Sequence, residues 1–139
     1  MACIAPNQEW TIDTHIDGHP KSETAVLVFC LSINDGIITG EGSDLSIDPP
    51  VPLSLVTGTS LSIPELDQGF PDPPTQMTLN FTWRESQAVL SGTTFRSGGQ
   101  NKFLGRFATF KTPEVNGGSG AVVAGASGND VGTGTGTQT

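Results

Sequence analysis

The sequence predicts an all-β protein: a single small antiparallel β-barrel of about seven or eight hairpin-connected strands, with a sandwich as the alternative. Three observations carry this expectation. Gly (18) and Pro (10) fill 28 of 139 positions, a load that interrupts helices and suits strands joined by turns. Stretches of two-residue hydrophobic alternation recur along the chain, separated by turn residues. Polarity rests on uncharged groups, 17 Thr and 12 Ser, while charged residues make up only 14%, against roughly a quarter in an average domain.

An N-terminal arm, residues 1–7, leads into a barrel domain spanning 8–112. From Glu9 to Asp17 the chain alternates, with Trp10, Ile12, Thr14 and Ile16 on one face and Glu9, Thr11, Asp13, His15 and Asp17 on the other. This is the pattern of a half-buried strand. Thr24 to Ile33 is apolar on both faces and reads as a central strand. Asn34-Asp35-Gly36 then supplies residues that tolerate positive φ, the strongest hairpin signal in the chain. In the returning strand, Gly40 and Gly42 suit a bulge or sharp bend.

Seven of the ten prolines fall between 49 and 74. Leu53 to Ile63 is therefore expected at a sheet edge, with Leu53, Leu55, Thr57, Thr59 and Leu61 on one face. Ile63-Pro64-Glu65-Leu66-Asp67 reads as a single helical turn, and 69–74 as a loop. Met77, Leu79, Phe81 and Trp83 define the next strand, and Ala88 to Phe95 returns after a turn at Arg84-Glu85-Ser86. Ser97-Gly98-Gly99-Gln100 is a second hairpin signal, and Lys102 to Lys111 places Phe103, Gly105, Phe107 and Thr109 on one face. Residues 113–139 hold eight glycines and no aromatic, Leu or Ile, so they read as a Gly/Thr-rich C-terminal tail unable to fold alone. Ala121-Val122-Val123-Ala124 is its best candidate for pairing as an added strand.

The net charge of −8 argues against nucleic acid and anionic membranes as partners. Its distribution is uneven: residues 1–79 carry eleven acids and one base, whereas 80–111 carry five bases and one acid. Such polarity favours contact between unlike patches on copies of the chain, hence a homo-oligomer. The start, Met1-Ala2-Cys3-Ile4-Ala5-Pro6, has no basic and apolar leader pattern, and the longest apolar run, Ala25 to Leu31, is too short to span a bilayer, so a cytoplasmic location is expected. In that compartment Cys3 and Cys30 are expected as free thiols.

The Trp in the first strand, the succession of hairpins and the strand Leu90-Ser91-Gly92-Thr93-Thr94-Phe95 resemble the calycin group, the avidin and lipocalin type of up-and-down barrel. The resemblance covers about Trp10 to Lys111. It departs from lipocalins at Gln8-Glu9-Trp10, which stands in place of Gly-x-Trp, and from biotin binders in having no Tyr, so no ligand or site residue carries over. Leu31-Ser32-Ile33-Asn34 and Asp48-Pro49-Pro50 are also similar to small bacterial barrel domains, a likeness that implies no activity.

Three functional readings follow. The first is a non-enzymatic structural or interaction barrel that self-associates, its tail docking on itself or a neighbour. The second is a barrel holding a small apolar ligand among Trp10, Phe29, Phe81, Trp83 and Phe107, which otherwise simply fill the interior. The third is a barrel cyclase or isomerase using a carboxylate or His15 as acid or base. No catalytic residue and no cofactor are assigned, because no nucleophile elbow, phosphate loop or calcium loop spacing occurs. Asp13, His15 and Asp17 share one strand face and form the one candidate metal set, though an acidic, solvated outer wall produces the same pattern.

Overall fold

The computed structural model describes residues 3–4, 6–18, 24–62, 74–83, 86–110 and 130–138. The strands are β1 (Gln8–Ile16), β2 (Thr24–Asn34), β3 (Ile37–Asp44), β4 (Val51–Ser62), β5 (Thr75–Trp83), β6 (Ser86–Ser97), β7 (Gln100–Phe110) and β8 (Asp130–Gln138). Each pairs antiparallel with the next, and β8 returns to pair with β1, so the sheet is a closed up-and-down barrel. Among the described residues, closure leaves no strand with an unpaired edge. No helix among the described residues is long and apolar enough to cross a membrane.

The two expected hairpins are present. Asp35 (φ 51°) and Gly36 (φ 79°) join β2 to β3, and Gly98 (φ 62°) and Gly99 (φ 79°) join β6 to β7. Two successive positive φ angles give the turn whose twist matches the flanking strands. Inward alternation then builds the core from Trp10 and Ile12 of β1, Leu27, Phe29 and Leu31 of β2, Met77, Leu79 and Phe81 of β5, Leu90 of β6, and Phe103 and Phe107 of β7. An eight-stranded barrel is just wide enough for such side chains to fill it. Burying each large one contributes about 1.5–3 kcal/mol.

The first correction concerns β4, in two respects. It is not an edge strand, since it pairs with β3 on one side and β5 on the other. Its phase also changes along its length. Gly40 pairs with Val56 but Gly42 with Leu53, and Thr82 pairs with Ser54 but Asn80 with Thr57, so one extra residue bulges from β4 against both neighbours. A bulge turns the following residues over. Leu53 and Val56 are therefore both buried, while Thr57, Thr59 and Leu61 face out instead of sharing the face of Leu53. The proposed helical turn at 63–67 and the Ala121–Ala124 patch lie outside the described residues.

The second correction concerns the C-terminal segment, which supplies the eighth strand, so the barrel extends beyond residue 112. In β8, Gly132, Gly134 and Gly136 point inward and Thr133, Thr135 and Thr137 outward. Its inner face needs no side chains because other strands fill the space: a Cβ on Gly134 would lie 2.6 Å from Leu90 Cδ2, and one on Gly136 2.7 Å from Ile12 Cγ1. Gly134 stands opposite Gly105, which stands opposite Gly92, so three adjacent strands carry a row of glycines. The backbones approach closely there, since a Cβ on Gly105 would lie 2.2 Å from Ser91 O. A glycine row is where a sheet can bend tightly to close.

The third correction concerns the cysteines. Cys3 and Cys30 are joined in a disulfide that ties the N-terminal arm to β2, with Cα atoms 5.5 Å apart. Closing a loop of 27 residues stabilises by about 3.5 kcal/mol through the unfolded chain.

Candidate functional site at the barrel mouth

The two ends of the barrel differ. At one end, the β3–β4 connection is held by Asp44, fully buried inside the barrel. Its Oδ2 accepts the Trp83 indole N–H at 2.8 Å, and its Oδ1 accepts the Ser46 backbone N–H at 3.0 Å and the Ser46 hydroxyl. Trp83 packs edge-on against Phe107 at 5.3 Å, Phe107 stacks with Phe81 at 6.5 Å, and Phe81 meets Phe29 edge-on at 5.2 Å. Four of the five aromatic residues proposed as ligand contacts are thus gathered into one cluster, in which each packs against another.

The fifth, Trp10, is at the opposite end. There the N-terminal end of β1 and the neighbouring ends of β2 and β4 to β8 border a cavity of about 310 Å³, within the size range of small-molecule sites. Trp10 and Met77, both almost fully buried, form its apolar floor together with Ile33. Thr75 and Thr94, hydrogen-bonded to each other across β5 and β6, and Ser60 add hydroxyls to its wall. Ser60 faces inward because of the β4 bulge.

The rim is made of amides and one guanidinium, with Arg96, Asn101 and Gln138 hydrogen-bonded in series. Gln8 Oε1 accepts the Trp10 indole N–H at 3.1 Å. Arg96 donates to Gly99 O at 3.1 Å and to Asn101 Oδ1 at 3.4 Å, and Asn101 Nδ2 donates to Gln138 Oε1 at 2.8 Å. β1, β6, β7 and β8 thus each contribute a residue to the rim. The sequence reading found Trp10 but missed Gln8, Arg96, Asn101 and Gln138. Arg96 and Asn101 were within reach, since the Gly98-Gly99 hairpin makes them direct partners. Gln138 was not, because it depends on β8.

Asp13 and His15 lie on β1 and Asp17 directly after its end, away from this mouth. Asp13 and Asp17 are exposed and His15 is half-buried. Asp17 is engaged by Arg106, its Oδ2 accepting from Nη2 at 2.9 Å, and no group of three metal-ligating side chains occurs among the described residues. Arg106 also joins the basic stretch of the chain to the acidic one within a single barrel.

The site and fold define a small closed eight-stranded antiparallel barrel with an open, polar-rimmed mouth, calycin-like in general shape. No protein-family model matches the chain, and no curated protein and no solved structure is significantly similar to it.

Proposed function

We propose that the protein is a non-enzymatic binding barrel that takes a small molecule at its mouth. The observation that carries this reading is the 310 Å³ cavity with an apolar floor and a rim of convergent hydrogen-bonding groups. Mouths of β-barrels are a preferred place for such sites. The reading differs from the expectation of a wholly apolar ligand in the barrel interior, since the aromatic cluster around Phe81 fills that interior. The acid–base alternative is less favoured: the buried carboxylate, Asp44, does not line the mouth cavity and is committed to Trp83 and Ser46. The test is titration of the full chain with small organic compounds, followed by the two indole N–H resonances. Binding at the mouth moves Trp10 and leaves Trp83 in place; compounds that move neither overturn the reading.

A second reading, self-association, draws on exposed apolar side chains on the outer wall, Leu104 (57%) and Val131 (56%) on β7 and β8 and Ile37 (62%) and Leu61 (60%) on β3 and β4. Opposite charges on the two halves of the chain favour an unlike-patch contact between copies. Light scattering at low and high salt tests it, and a monomer under both conditions overturns it. The disulfide bears on location. Disulfides persist in oxidising compartments and are rare in the cytosol, so the Cys3–Cys30 bond argues against the cytoplasmic expectation. Thiol trapping of the chain in its native cell decides between them.

A further inference from the structure

We infer that the ligand of the mouth is a small organic monoanion, a carboxylate carried on a short or flat apolar body. The inference rests on the mouth being the binding site, and adds the chemistry of what it takes. Among the described residues lining the cavity there is one cation, Arg96, and no carboxylate. In a chain with fourteen acids and six bases, that bias is local and specific. Lys102, one position beyond Asn101, takes the opposite face of β7 and does not line the cavity, so Arg96 is the one base that this rim presents among the described residues. Asp35 occupies the neighbouring β2–β3 turn but does not line the cavity. Glu9, between Gln8 and Trp10 on β1, is half-buried and does not line the cavity either.

The hydrogen bonds bias the rim in the same direction. Three amide oxygens, those of Gln8, Asn101 and Gln138, each accept an internal N–H. Orienting each oxygen into the network leaves the nitrogen ends of Gln8 and Gln138 as donors. The Thr75, Thr94 and Ser60 hydroxyls can also donate. A donor-rich rim around a guanidinium matches an acceptor-only group, and a carboxylate matches guanidinium geometry in particular. Beneath it, Trp10, Met77 and Ile33 offer a floor to the apolar part of the molecule.

The experiment titrates the full, disulfide-bonded chain with three probes of one shape, benzoate, benzamide and benzylamine, following the Trp10 indole N–H with Trp83 as internal reference. Benzoate is expected to bind most tightly and benzylamine least. In Arg96→Gln, benzoate is expected to weaken about five- to tenfold and benzamide distinctly less, because a neutral amide keeps only an uncharged hydrogen bond to lose. Retention of a folded spectrum by that variant excludes unfolding as the cause. If benzoate and benzamide bind equally and Arg96→Gln alters neither, the anion assignment is overturned while the mouth remains a binding site. If none of the three moves Trp10, the mouth reading itself fails.

Discussion

The Asp44 end and the mouth of this barrel are built from the same eight strands but treat polar groups in opposite ways. At the first, Asp44 is removed from water and its oxygens are taken up by Trp83 and Ser46, beside a cluster of four aromatic rings. At the mouth, Arg96, Asn101 and Gln138 bond in series across strand ends and Gln8 bonds to Trp10, all of them bordering open space. Loss of a partner costs much more in a buried network than in a solvated one. The Asp44 end is therefore the structural end, and the mouth is free to be polar for another reason.

That contrast can be broken in a graded series. The largest effect is expected where the two ends are held together, at the glycine row. Gly105→Val drives a branched side chain against Ser91 O and Gly92, and is expected to cost about 3 kcal/mol or more in urea denaturation. A cost below about 0.5 kcal/mol would mean that close strand approach does not matter there. Cys3→Ser is expected to cost about 3 kcal/mol through the unfolded chain while leaving the Trp10 resonance in place; a displaced Trp10 would show that the arm shapes the mouth directly.

Asp44→Ala removes the acceptor of Trp83 and Ser46 and is expected to destabilise by about 2 kcal/mol, with a shift of the Trp83 indole N–H. Asn101→Ala is the matching change at the mouth and is expected to cost less than about 1 kcal/mol, because the groups it leaves reach water. Equal costs for these two would remove the distinction between the ends. The smallest effect belongs to Arg106→Ala. Its ion pair with Asp17 joins two side chains that are 60% and 50% exposed, so less than about 0.5 kcal/mol is expected, measured as the denaturation midpoint at low and high salt.

Much of the barrel was legible because period-two alternation and positive-φ turn residues act locally. Trp10 and Ile12 had to point one way, and Asp35-Gly36 and Gly98-Gly99 had to reverse the chain. What failed depended on partners. β8 has almost nothing of its own to bury, and counting its side chains misses the Ile12, Leu90 and Phe103 groups that lie over its glycines. In β4 the bulge is set by two neighbours at once, so the alternation read from Leu53 onward placed Thr57 and Leu61 on the wrong face. The Cys3–Cys30 bond does not show in the sequence because Cys3 lies outside the strands and only the folded arm carries it back to β2. At the mouth, the apolar floor showed in Trp10, whereas the rim joins four strands and emerges only once the barrel closes.

The placement of β8 has a consequence for how the barrel forms. Trp10 pairs with Gln138 across almost the whole chain, and until residues 130–138 have been synthesised both β1 and β7 lack one neighbour. A nascent chain on the ribosome therefore holds an incomplete seven-stranded sheet with two open borders, the state in which strand-to-strand misassociation between molecules is most favourable. The rate-limiting step in folding is then expected to be a search over the longest sequence separation available. The last few residues, modest in composition, act as the latch that ends the period of vulnerability.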